Sequence, residues 1–313
     1  MILLARQTSE TQKMLEALIQ RLPVSHSEFT FYCEHLRRLQ AGFAGEQLVD
    51  AKWLELDLPS PHYFLHDFQT MNDFGSTHQM DTIFLCPHFV LILEIKNITG
   101  KLSYDASFAQ LTRTTPDGTV EGMTDPFLQL ERHVVWMKKL VQKERIDLPV
   151  LHAVVLATRN GILTKGFEGL PIFHVAGLRF NLQKWMERHQ PRVRVDLLRF
   201  ANLLLSLQIK LKKEVEVPLK EMTKGVLCPQ CVNGQRLSYH YKKWTCPRCG
   251  LVDDDALVRT LEDYRLLVGQ QLTNRSFREF FAIASPNLAY KLLQQLPLKA
   301  EGVKKHRKYW IME

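Results

Sequence analysis

Val90-Leu91-Ile92-Leu93-Glu94-Ile95-Lys96-Asn97 opens on four aliphatic residues and closes on charged ones. An unbroken aliphatic run of this length predicts a strand buried on both faces. Strand side chains alternate, so Glu94 and Lys96 point to one face and Ile95 to the other. Pro87-His88 precedes the run and connects it tightly to a second predicted strand, Gln79–Leu85, as in a hairpin. The hairpin can bring Asp81 beside Glu94, so that two carboxylates and an ammonium meet at a strand end. Neighbouring carboxylates repel each other, and a hard cation with oxygen ligands relieves the repulsion. Mg²⁺ (or Mn²⁺) would bridge Asp81 and Glu94 and bind a phosphate oxygen and a water; the Ile95 carbonyl is a further possible ligand. Lys96 can orient or help deprotonate that water and stabilise charge on the phosphate. Asp…Glu-x-Lys alone is a weak pattern that recurs by chance on solvated strand faces. Its place at the end of a buried run is what marks a site.

Working outward, Tyr63–Phe68 reads as another strand. Before it, Phe31, His35, Leu39, Phe43, Leu48 and Leu54 recur at helical spacing, from Ser27 to about Asp57. Gly42 and Gly45 lie inside this helix, where glycine costs about 1 kcal/mol against alanine. A close approach of another backbone is the expected reason. After a polar stretch with a turn at Pro116-Asp117-Gly118, Pro126 starts a helix through about Glu144, with Phe127, Leu130, Val134, Met137 and Leu140 on one face. Val150–Ala157 reads as a buried strand, Ile172–Val175 as a short one, and Phe180–Arg188 and Asp196–Lys213 as helices. This order predicts an α/β domain over 25–215, with 1–24 as an N-terminal arm. The histidines His62, His66, His78 and His88 show no metal-ligand spacing and read as surface or satisfied residues. His133 reads as helix surface beside a Trp136, Met137 and Leu140 core stripe.

Cys228-Pro-Gln-Cys231 and Cys246-Pro-Arg-Cys249 form two tight thiolate pairs. Two such turns complete a tetrahedron around zinc, and four thiolates leave no open position, so the Zn²⁺ is structural. A zinc ribbon over 226–252 follows. Cys33 and Cys86 read as small hydrophobes. Beyond Asp253-Asp254-Asp255 come a helix at Ala256–Val268, a second capped at Thr273-Asn274, a third starting at Ser285-Pro286, and a basic hairpin-like tail ending at Tyr309-Trp310-Ile311. Helices, a turn and a basic β-tail over 253–313 form a winged helix-turn-helix pattern.

The chain has 313 residues, with 41 Lys+Arg against 33 Asp+Glu and a net charge of +8. The tilt favours polyanionic partners such as nucleic acid. Lys299, Lys304, Lys305, His306, Arg307 and Lys308 crowd the end; Arg192, Arg194, Arg199, Lys210, Lys212 and Lys213 form a second basic stretch. No apolar run approaches the roughly 20 residues of a membrane span, and the apolar start is too short for a signal peptide. Cysteines in a metal pattern fit a reducing compartment, so a cytoplasmic location is expected.

Four motifs in order carry a resemblance: Gly42-Phe43-Ala44-Gly45-Glu46, Gln79-Met80-Asp81-Thr82-Ile83, Leu93-Glu94-Ile95-Lys96-Asn97 with Gly100, and Asp125-Pro126-Phe127-Leu128-Gln129. Together, over roughly 38–160, they resemble the nuclease-related domain, NERD, which is similar to restriction-endonuclease-like PD-(D/E)XK nucleases. The resemblance implies a mixed sheet flanked by helices and a metal-dependent phosphodiesterase. It implies that Glu46 joins the metal shell, that Asp81 and Glu94 bind the metal, that Lys96 is the lysine of the E-x-K strand, and that Gln129 contacts the site or the phosphate. Thr82 stands where the family has histidine, and Asp125 where asparagine is commoner; these departures leave the substrate contacts in doubt and spare the ligands. The expected function is a Mg²⁺-dependent nuclease, with DNA ahead of RNA. The alternatives are a weakly catalytic nucleic-acid-binding protein on a nuclease fold and a protein-interaction scaffold.

Overall fold

The computed structural model describes all residues except 73, 193–194, 211–217, 232–233, 304–306 and 313. Arg194, Lys212, Lys213, Lys304, Lys305 and His306 of the two basic stretches therefore lie outside the described residues. In chain order the elements are β1 (Ile2–Leu4), α1 (Glu10–Arg21), α2 (Phe29–Trp53), β2 (Tyr63–Met71), β3 (Thr77–Leu85), β4 (Val90–Lys96), β5 (Gly100–Asp105), β6 (Gln110–Thr114), β7 (Val120–Met123), α3 (Pro126–Lys143), β8 (Val150–Leu156), β9 (Gly161–Leu163), β10 (Ile172–His174), α4 (Leu178–Arg188), α5 (Leu197–Ser206), β11 (Ser238–His240), β12 (Lys243–Thr245), α6 (Ala256–Leu267), β13 (Gln271–Thr273), α7 (Asn274–Phe281), α8 (Pro286–Leu293), β14 (Leu298–Glu301) and β15 (Lys308–Ile311). They fall into two units, Met1–Gln7 with Gln40–Leu211, and Thr8–Leu39 with Lys212–Glu313.

The first unit is built on a six-stranded mixed sheet in the order β1-β2-β3-β4-β8-β10. β2, β3 and β4 run antiparallel, while β8 lies parallel to β4 and β10 parallel to β8. Helices cover both faces, as the aliphatic central strands require. α3 and α5 bury Leu130, Val134, Met137, Phe200 and Leu204 against one face. α2 and α4 bury Val49, Trp53, Leu178 and Leu182 against the other. β4 shows the alternation directly: Val90 and Ile92 enter the first of these cores, and Leu91, Leu93 and Ile95 the second. A smaller sheet, β7-β6-β5-β9, follows β4. Its strands escape a pattern search because they are short and mostly half-exposed. The expected turn at Pro116-Asp117-Gly118 closes its β6–β7 hairpin.

Gly45 has the reason expected of it, and Gly42 does not. A Cβ at Gly45 would lie 2.6 Å from the Asn97 Cβ, whereas one at Gly42 would meet nothing within 4 Å. Gly45 thus lets α2 approach the chain just beyond β4.

The stretch read as an arm divides. Ile2–Leu4 adds a parallel strand beside β2, and Thr8 onward belongs to the second unit. There α1 shares a core with the ribbon and the C-terminal helices. Its amphipathic pattern is helical, with Ser9 capping it. Its last residue, Arg21, is fully buried and donates from Nε and Nη2 to Asp263 Oδ2 at 3.0 and 2.6 Å and from Nη1 to the Gly225 carbonyl at 3.0 Å. The order α6-β13-α7-α8-β14-β15, with the three strands paired β13-β15-β14, is that of a winged helix. Thr273 caps α7 in a reciprocal capping box with Ser276, and Ser285 caps α8. Among the described residues no helix is long and apolar enough to cross a membrane.

Candidate active site and metal centre

The β3–β4 ladder ends at the pair Thr82 and Leu93, so the next opposed residues are Asp81 and Glu94. The Ile95 amide donates to Asp81 Oδ2 at 2.6 Å. Lys96 Nζ donates to Glu94 Oε1 at 2.6 Å. Both acids are buried, Glu94 to 1% exposure, and Glu94 Oε2 has no hydrogen-bond partner among the described residues. By strand alternation Glu94 and Lys96 continue the Val90 and Ile92 face, the one covered by α3.

Charge and burial compete at this point. Burial pushes the Glu94 carboxyl up to about 8, and the charges of Asp81 and Glu46 add to the rise against the pull of Lys96. Asp81 is also pushed up, chiefly by burial. Burial would lower Lys96, but Glu94, Asp81 and Glu46 together hold its ammonium above the ordinary lysine range. The site therefore keeps Lys96 charged and, without a further cation, protonates part of its acid set.

Glu46 follows Gly45 on α2, and burial with the charge of Asp81 raises its carboxyl to about 8. It is not a free ligand: Arg6 Nη1 donates to Glu46 Oε2 at 2.8 Å. Arg6, with 4% of its side chain exposed, also reaches Asp50 at 2.7 Å, Asp67 at 3.2 Å and the Thr82 hydroxyl at 2.9 Å. Nothing in the sequence marks Arg6; a lone arginine after an aliphatic triplet gives no hint that β1 carries it under the site. Asp67, which interrupts β2 in a left-handed conformation (φ 49°), is raised to about 6 by its burial.

Gln129 stands half-buried in the first turn of α3, and no hydrogen bond among the described residues ties it to the acids. Asp125 is the N-cap of this helix, accepting from the Phe127 amide at 2.7 Å and the Tyr104 hydroxyl at 2.8 Å. One turn after Gln129, His133 is buried rather than on the helix surface. Its Nδ1 lies 3.0 Å from Nδ1 of His78, also buried, and neither Nε2 has a partner among the described residues. Burial, then His78, Arg132 and Lys96, lower His133 to about 4. Helical spacing alone puts His133 outside because polar residues default to water; here β3 supplies a second imidazole that pairs with one of its two ring nitrogens.

The four cysteines come together as their spacing predicts. All four Sγ atoms lie within 4.8 Å of one another, with Cys228 3.7 Å from Cys249 and Cys231 3.8 Å from Cys246. Zn–S bonds of about 2.3 Å in a tetrahedron place sulfurs about 3.8 Å apart. The set fits a structural metal such as zinc. Among the described residues it is the one group of three or more metal-ligating side chains gathered this closely; Glu46, Asp81 and Glu94 do not close to that degree. Elemental analysis is expected to find about one zinc per chain. Cys228→Ser should lose it and loosen the ribbon, seen as a lower-temperature melting step, while the first unit stays folded.

The first unit thus holds a mixed sheet between helix layers, with two acids and a lysine at the ends of adjacent strands. Residues 41–157 match the family NERD, the nuclease-related domain, and the chain carries that domain over this stretch. No curated protein matches the chain.

Proposed function

We propose that the protein is a metal-dependent nuclease that hydrolyses phosphodiester bonds in nucleic acid, DNA ahead of RNA. The observation that carries this is Glu94 Oε2, a buried carboxyl oxygen with no partner among the described residues, beside a second buried acid and a charged lysine. A cation is the economical way to satisfy it. Asp81 and Glu94 would hold Mg²⁺ or Mn²⁺, with Glu46 in support. The bound ion would supply positive charge at the phosphate and acidify a water. Lys96 keeps its proton on Nζ and acts as a donor to a phosphate oxygen, favouring charge stabilisation over proton abstraction. Gln129 and His133 share one face of α3, and Gln129 would contact the phosphate. The zinc ribbon and winged helix would hold the nucleic acid.

Full-length protein incubated with plasmid, single-stranded DNA and RNA should cut with Mg²⁺ or Mn²⁺ and not with EDTA, and Asp81→Ala should cut nothing. Tight binding without cutting under any metal would leave only a binding protein on a nuclease fold. No binding even at low salt would leave a scaffold.

A pH dependence accompanies the metal. Glu94, raised from 4.5 to about 8, holds a proton in the folded chain that the unfolded chain has already lost. Stability of the metal-free protein therefore falls as pH rises through that window. Glu46 shifts the same way. Mg²⁺ takes the place of the proton, so it should raise the melting temperature more at about pH 8 than at about pH 6. Glu94→Gln should abolish the Mg²⁺ gain; an equal gain in that variant counts against the site.

A further inference from the structure

The β2–β3 hairpin and α3 line a groove of about 700 Å³ whose lining includes Phe74, Arg132, Trp136, Lys139 and Lys143. Its lining carries three cations against one acid among the described residues, Glu131. Arg132, Trp136, Lys139 and Lys143 follow each other at helical spacing along one stripe of α3, about 16 Å long. Among the described residues neither lysine has an acidic partner within 4.0 Å. Phe74 leaves 89% of its surface in water. A single exposed ring is ordinary; one that lines the same groove as a second, half-buried ring, Trp136, and three cations is the make-up of a stacking platform. His78, which bonds His133, also lines the groove.

We propose that this groove binds single-stranded nucleic acid, its bases stacked on Phe74 and Trp136 and its phosphates on Arg132, Lys139 and Lys143. Base faces are covered in a duplex, so the two rings contribute only to an unpaired strand. An apolar peptide would leave the three cations unused. That the strand is presented to Lys96 for cutting rests on the nuclease reading; the binding itself does not.

The test is fluorescence anisotropy of the full chain in EDTA, with labelled oligo(dT), oligo(rU) and a blunt duplex across a salt series. The variants are Phe74→Ala and the double change Lys139→Glu with Lys143→Glu, all at exposed positions, with circular dichroism to confirm folding. The double change should weaken single-strand binding about tenfold or more and flatten its salt slope by more than one. Phe74→Ala should weaken it about fivefold or more, with duplex affinity moving less than about twofold. The oligo(dT) and oligo(rU) arms tell DNA from RNA. Single-strand affinity unchanged in both variants, or duplex affinity falling in parallel, overturns the proposal. A wild type that never cuts, with these binding shifts intact, refutes the nuclease reading and leaves the groove.

Discussion

Lys96→Ala should lower metal-dependent cleavage by about 10²–10³-fold, the usual loss when one preorganised charge aimed at a transition state is removed. The effect should fall on the rate under saturating substrate, and substrate affinity should change little, because one phosphate contact among many is a small part of binding. Lys96→Arg should recover only part of the rate, since a planar guanidinium cannot reproduce a compact ammonium held 2.6 Å from Glu94. The stability change carries its own signature. Without Lys96, Glu94 loses the ammonium that bonds it and takes up a proton more readily, so the variant should be close to wild type at about pH 6 and weaker at about pH 8. A variant that cuts normally would remove Lys96 from the chemistry and leave it as a counter-ion for Glu94.

Arg6→Leu should destabilise the first unit by about 3–5 kcal/mol at neutral pH, the cost of deleting one partner from a buried ionic network. Three carboxylates, Glu46, Asp50 and Asp67, would lose the cation that neutralises them. Glu46 and Asp67, already raised by burial, would take up protons more readily still, so the loss should shrink as pH falls toward about 5, and chemical denaturation at the two pH values measures it. Arg6→Lys should restore the charge and not the fork of hydrogen bonds, giving an intermediate value. An Arg6→Leu variant as stable as wild type would show that water already screens the acids.

What the sequence disclosed follows physical range. Val90–Leu93 and the alternation of Glu94, Ile95 and Lys96 are local, and both appear in the structure as read. The cysteine pairs are nearly as local, because a tight turn fixes each and the metal chemistry joins them. Thr273 and Ser285, read as helix starts, show their capping roles within three residues. Legibility ends where partners come from far along the chain. Arg6 meets residues from α2, β2 and β3, separated from it by 40 to 76 positions. His133 finds its partner 55 positions away, and a helix pattern that sees only α3 assigns it to water. The residues that complete α1's core lie more than 200 positions on, which is why Glu10–Arg21 reads as part of an N-terminal arm. Gly42 and Gly45 look alike in sequence, and only the position of Asn97 separates them.

The β1 strand and Arg6 have a consequence for how this domain can travel. The family match begins at position 41, yet one edge strand of the sheet and the cation beneath its acids come from the first seven residues. Gene shuffling that moved 41–157 alone would transplant every proposed metal ligand and leave behind their counter-charge, so a working copy in another protein has to bring, or reinvent, a distant basic residue.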